Sequence, residues 1–178
     1  MVIKKVTQVG NKVIRQKAKA VKDVCQKPVQ EIVKNLIDSM RYHNLVGMAA
    51  PQIGKNARIF VSEIRPTKFR KNINPKEVGL KIFINPKIIS FSKRTVLGWE
   101  GCGSIAHSDL FGLVPRAKSV TVTAFDENGE KFTLVAKDLL ARIIQHENDH
   151  LDGVLFIDKS DPKTFMSGDE FKKMKGKK

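Results

Sequence analysis

The run Gln145-His146-Glu147-Asn148-Asp149-His150 constrains this chain more than any other stretch. An H-E-x-x-H pattern has chemical meaning on a helix, where residues four apart share a face. There His146 and His150 can aim both imidazoles at one metal ion. Glu147 then lies beside that ion, within reach of the protons of a bound water. The flanks read as helix: Lys137-Asp138 supplies a start, Leu139, Leu140, Ile143 and Ile144 an apolar period, and Gly153 a stop. The plain alternative is a helix with two unrelated surface histidines. Against it, the chain has four histidines in all, and two of them bracket a glutamate at ligand spacing.

A length of 178 residues suits one domain that buries its own core. The 33 Lys and Arg against 18 Asp and Glu leave a formal net charge of +15, which points to an acidic partner such as nucleic acid or anionic lipid. No apolar run reaches membrane-spanning length. The start, Met1-Val2-Ile3-Lys4-Lys5, does not lead into a signal-peptide core. The expectation is a protein that stays in the compartment where it is made. Two cysteines, Cys25 and Cys102, are too few for a disulfide scaffold and form no C-x-x-C pair for a zinc ribbon. They fit reducing conditions and a functional thiol.

Val29, Ile32, Val33, Leu36, Ile37 and Met40 recur at helical spacing behind Pro28, predicting a core-packed helix over 28–42. Residues 57–61 read as a strand, followed by a basic loop with Pro66 and Pro75. Residues 80–90 read as a second strand, with Pro86 at its end or on a sheet edge. Residues 120–125 and 131–136 flank Asp126-Glu127-Asn128-Gly129, a hairpin signal. Strands followed by a site-bearing helix predict an α+β fold: a single compact domain with antiparallel or mixed β-sheets packed around a central helix carrying HExxH. The catalytic domain is expected over 1–166, and a basic, flexible tail over 167–178.

An open catalytic site needs a third protein ligand. Glu170 lies 20 residues beyond His150, in a polar stretch with little apolar material to hold it rigid. Cys102 lies upstream in Trp99-Glu100-Gly101-Cys102-Gly103-Ser104-Ile105, where two glycines let backbone approach a metal or substrate closely. Cys102 is the better choice. Glu170 as ligand would instead suit a small zinc endopeptidase. A third reading is a basic RNA- or ribosome-binding protein, with a closed structural site of Cys25, Cys102, His146 and His150 and no role for Glu147.

Three segments in order, Val46-Gly47-Met48-Ala49-Ala50-Pro51-Gln52, Glu100-Gly101-Cys102-Gly103-Ser104 and Gln145-His146-Glu147-Asn148-Asp149-His150, resemble the signature motifs of the peptide deformylases. The likeness includes Leu113-Val114-Pro115-Arg116 and covers almost the whole chain. It implies a hydrolase that removes the formyl group from the N-terminal formyl-methionine of newly made proteins, in a bacterial cytoplasm or an organelle. It also implies Cys102, His146 and His150 as ligands of one divalent metal, ferrous iron by preference, with zinc, nickel or cobalt able to take its place. Glu147 would be the general base and acid. Gln52 and the Gly103 N–H would face the developing oxyanion. The peptide would lie extended beside Val46 and Gly101, with its methionine near Gly47, Leu139, Ile143 and His146, while Arg116 pairs with Glu100. Two residues depart from the family's pattern: Leu45 stands where a glycine usually opens the first motif, and Gly103 where leucine commonly follows the cysteine.

Charge is unevenly spread. The segment from Lys4 through Lys22 carries no acid; residues 64–76 hold Arg65, Lys68, Arg70, Lys71 and Lys76; the end holds Lys172, Lys173, Lys175, Lys177 and Lys178. Such surface suits either solvation or weak, salt-dependent contact with ribosomal RNA near emerging chains.

Overall fold

A computed structural model describes residues 2–67 and 79–176. Lys68, Arg70, Lys71, Pro75 and Lys76 of the basic loop, and Lys177 and Lys178, lie outside the described residues. Among the described residues, eight strands and three α-helices run in the order α1 (Lys27–Tyr42), β1 (Gly47–Ala49), β2 (Ile59–Ile64), β3 (Gly79–Phe91), β4 (Thr95–Gly101), β5 (Leu110–Ala117), β6 (Ser119–Phe125), β7 (Lys131–Lys137), α2 (Asp138–Leu151), β8 (Met166–Ser167) and α3 (Gly168–Gly176). A five-stranded sheet has the order β1-β2-β3-β6-β7 and a three-stranded sheet the order β4-β5-β8. Every described pairing is antiparallel.

The two-residue period of a strand divides the large sheet between the two long helices. Ile59, Val61, Ile82 and Ile84 face one way and pack with Val29, Val33, Leu36 and Met40 of α1. Phe60 and Phe83 face the other way and pack with Ala141, Ile144 and Leu151 of α2. The two rings stack at 4.4 Å between centroids. Each such ring, fully buried, contributes about 2–3 kcal/mol by removal from water. Thus α2 is the central helix of the fold, in contact with β1, β2, β5, β6 and β7. It stops where Gly153 takes φ +74° against the Arg15 carbonyl, 2.5 Å from where a Cβ would sit, so only glycine serves there.

One expectation needs correction. Pro86 lies neither at a strand end nor on an edge, because β3 runs between β2 and β6. The pairing shifts register between Ile84 and Lys87, and this bulge accommodates a residue with no N–H to give. Asn85, at φ 51°, turns the chain and clamps both backbone atoms of Val21 at 2.8 Å. Within the stretch expected as a basic tail from residue 167, Met166–Ser167 form β8 and Gly168–Gly176 form α3. β8 joins β5 through Leu110–Ser167 and Phe111–Met166 pairs. Phe171 of α3 is 5% exposed, stacked on Phe111 at 4.1 Å and edge-on to Trp99.

Candidate metal centre

Two elements deliver three donors. α2 presents His146 and His150 one turn apart, and β4 ends at Gly101 directly before Cys102. One donor atom from each of Cys102, His146 and His150 lies within 4.8 Å of the others. The Cys102 Sγ is 3.1 Å from His150 Nε2. His146 Nδ1 lies 2.9 Å from Glu100 Oε2, which leaves Nε2 for the centre and fixes the ring. Burial works against a thiolate, but the charge and hydrogen bonds of His150 and His146 hold the Cys102 thiol well below its ordinary value. Burial likewise opposes a charged His146, yet bonds to Cys102 and Glu100 raise it well above the usual imidazole. A compact, buried thiolate-and-imidazole set with an outer carboxylate fits a divalent transition metal.

A buried ionic lattice holds this centre. Arg116 donates to both oxygens of Glu100 at 2.9 Å, as the sequence suggests, and also to Asp149. Despite burial, the Arg116 and His146 hydrogen bonds keep Glu100 below the usual carboxylate range. Removing one member of such a buried pair costs about 3–5 kcal/mol, because the other is left unpaired. Arg142 completes the lattice, a role that sequence reasoning missed. It donates to Glu100 Oε1 at 2.7 Å and to the carbonyls of Val114 at 2.9 Å and Val96 at 2.6 Å. A signal exists: a charge four residues before His146 shares that residue's helix face. Gln145 has a role equally hidden in the sequence. Its amide takes both backbone atoms of Ala117, at 3.0 and 2.9 Å, tying α2 to the end of β5. A polar residue following Ile143 and Ile144 is its only hint.

Glu147 is 4% exposed, and one of its oxygens, Oε2, has no hydrogen-bond partner among the described residues. Burial lifts its carboxyl to about 7, against the opposing pull of His146 and His150. A carboxyl poised near neutrality suits proton transfer at neutral pH. Gly47 makes room for it, since a Cβ there would sit 2.9 Å from the Glu147 Cδ. Gln52 is more than a polar turn residue. Its Oε1 accepts from the Ala49 N–H at 2.8 Å, which turns Nε2 toward Cys102 Sγ at 3.5 Å and Ser104 Oγ at 3.4 Å. Gly103 is buried beside Cys102, and its N–H has no acceptor among the described residues.

The remaining residues fall around this centre unevenly. Among the described residues β1 and β4 are both edge strands, so Val46–Gly47 and Gly101 pair on one side only, with β2 and β5. Ile143 is 6% exposed on α2. Leu139, half-buried, lines a cleft of about 170 Å³ with Val96, Lys118 and Arg142 at the start of the helix. It is two turns, or about 10 Å along the axis, from His146. Glu170 is outside the donor cluster: it is exposed on α3 and paired with Lys173 at 2.6 Å. Cys25 is exposed near the Asn128 carbonyl and also outside the cluster. Neither the Glu170-ligated endopeptidase nor the closed four-ligand site has its geometry here.

The sequence model described as polypeptide deformylase matches residues 3–165. The chain belongs to the polypeptide deformylase family. It is 39% identical over 154 residues to peptide deformylase 2 of Nostoc sp., covering 86% of this chain and 84% of that protein. It is 35% identical over 170 residues to the mitochondrial peptide deformylase of Homo sapiens, covering 90% and 69%. The fold matches a class I type b peptide deformylase of Acinetobacter baumannii, crystallised with Met-Ala-Ser bound, at a TM-score of 0.82 and 31% identity. That match covers 89% of this chain and 99% of the other. The deformylase fold and the donor cluster thus occur together in one chain.

Proposed function

We propose that this deformylase-family chain hydrolyses the formyl group from the N-terminal formyl-methionine of newly synthesised polypeptides, releasing formate. The observation that carries the reading is the buried Cys102–His146–His150 set with Glu147, poised near neutrality, beside it. A divalent ion held by those three residues would supply Lewis-acid activation of a water and of the formyl carbonyl, with ferrous iron as the native ion and zinc, nickel or cobalt as substitutes. Glu147 takes a proton from the attacking water and returns it to the leaving amine. The Gln52 amide and the Gly103 N–H stabilise the charge that grows on the formyl oxygen. The peptide adds as an extended strand to the free edges at Val46 and Gly101. Its methionine enters an apolar wall formed by Gly47, Ile143 and, at its far end, Leu139.

The substrates are nascent formyl-methionyl chains, and the basic surface contacts ribosomal RNA as they emerge. No described helix is long and apolar enough to cross a membrane. We assign the protein to a bacterial cytoplasm, with an organelle as the second location, given a mitochondrial relative. Formate release from a formyl-methionyl peptide by freshly iron- or nickel-loaded protein tests the reading. Absence of formate under both loadings overturns it.

A further inference from the structure

The two departures from the family pattern meet in space. A Cβ built on Gly103 would stand 3.0 Å from Leu45 Cδ1 and 3.2 Å from Val6 Cγ1, closer than ordinary carbon contact. Gly103 is not among the residues with positive φ, so nothing in its backbone demands glycine. A side chain at 103 would crowd Leu45 and Val6, whose tips would have to give by a few tenths of an ångström. The Leu45 backbone is anchored at the exit of α1, its N–H donating to the Met40 carbonyl at 2.9 Å and its carbonyl accepting from Arg65 Nη2 at 2.9 Å, and its half-buried side chain packs on the α1 cluster.

The peptide that this leucine covers is the one that aims the Gly103 N–H. The Cys102 carbonyl, on the opposite side of that planar trans unit, accepts from the Ile105 N–H at 3.1 Å. Gln8 donates from Nε2 to the Gly103 carbonyl at 2.8 Å and accepts from the His107 N–H at 3.1 Å. Hydrogen bonds therefore fix the flanking carbonyls. The Gly103 N–H itself has no acceptor among the described residues, so packing against its bare Cα is what remains to hold that donor in place. Glycine adds backbone freedom at the point where a donor must stay put.

We propose that Leu45 is a positioning residue for the oxyanion donor. Its side chain fills the volume that a side chain at 103 would otherwise occupy, and so clamps the Gly103 peptide from outside the loop. Leu45 and Gly103 are then one exchangeable unit, leucine packing being needed once, at either position. The inference rests on the assignment of the Gly103 N–H to the oxyanion under the proposed function.

A four-member cycle tests it: wild type, Leu45→Gly, Gly103→Leu and the swapped double variant. Leu45→Gly leaves the peptide uncovered, and Gly103→Leu forces two side chains into one volume. Each single change should lower kcat for a formyl-methionyl peptide by about 10- to 100-fold with KM altered less than about threefold. A shifted donor forfeits transition-state contact more than ground-state binding. The swap should return kcat to within about threefold of wild type, an interaction that independent sites do not show. Losses that multiply in the double variant, or singles that match wild type, overturn the proposal. Hydrogen exchange of the peptide spanning 101–105 supplies a readout independent of activity. It should quicken about tenfold in Leu45→Gly and recover in the swap, and unchanged exchange counts against the clamp. A wild type that releases no formate but shows this exchange pattern refutes the functional reading and leaves the clamp standing. If Gly103→Leu does not fold, Leu45→Ala and Gly103→Ala run the same cycle at smaller volume.

Discussion

α2 and α3 are both helices with charged faces, yet they hold their places by opposite means. α2 buries polar groups: Gln145, Glu147 and His150 are each under 7% exposed, and His146, Arg142 and Asp149 reach Glu100 or Arg116. Its apolar residues fix its place on the large sheet, while its polar face is specified by partners on β4 and β5. α3 spans nine residues and buries Gly168 and Phe171 alone. A helix that short is not stable by itself in water. It persists because one ring stacks on Phe111 and meets Trp99. The comparison separates a helix whose sequence encodes chemistry from one whose sequence encodes a single anchor.

The largest expected contrast lies in the ligand set. Cys102→Ala should lose tightly bound metal and all measurable formate release, whereas Glu170→Ala should retain both. Metal content after gel filtration and initial rates check this. Full activity in Cys102→Ala would return α3 to the site and break the comparison. Next comes the chemistry beside the ligands. Glu147→Gln should keep the metal and lower turnover about 10²–10⁴-fold, the span of a positioned proton-transfer group. Gln52→Leu should cost about 10²–10³-fold, as expected for one oxyanion donor. Near-normal turnover in either variant removes that residue from the mechanism.

How far the sequence disclosed this architecture also divides along the same line. The site helix, the 28–42 helix and the 126–129 hairpin were legible because periodicity and turn chemistry are local. Cys102 was legible because glycines flank it. Arg142 and Gln145 were not, because their partners are carbonyls and a carboxylate on β4 and β5, 28 to 46 residues away. Pro86 misled because a bulge inside a central strand depends on what the neighbouring strands do. α3 was not legible as a helix because its polar composition resembles a solvated tail, and one phenylalanine is too little pattern to predict docking. Leu45 and Gly103 each looked like an isolated departure; only their approach in space relates them.

A smaller effect probes the anchor itself. Phe171→Ala should release α3 and quicken tryptic cleavage after Lys172 and Lys173, while kcat stays within about twofold of wild type. Local release costs little global stability when a segment can peel away alone. A fall in Tm of more than about 5 °C, equivalent to roughly 1–2 kcal/mol for a chain of this length, would show that α3 belongs to the cooperative core.

The smallest effect concerns charge. Lys172 pairs with Asp169 at 2.8 Å and Lys173 with Glu170 at 2.6 Å, while Lys175 lies over the Phe171 ring at 5.7 Å. Part of the positive charge of α3 is therefore answered within the helix. Exposed pairs of this kind are weak, so both lysines can exchange an acidic partner for a phosphate. Truncation at 171 would confuse the issue, because it also removes the ring that covers Phe111 and Trp99. Lys172→Gln/Lys173→Gln/Lys175→Gln keeps Phe171 and alters charge alone. The triple variant should deformylate a short peptide at the wild-type rate and co-sediment with ribosomes less well at low salt. Its log affinity should depend on log salt less steeply, by about 0.7–0.9 for each phosphate that the variant no longer neutralises. Coincident curves for the two proteins across the salt series would assign α3 to packing alone, and leave any ribosome contact to the acid-free segment between Lys4 and Lys22.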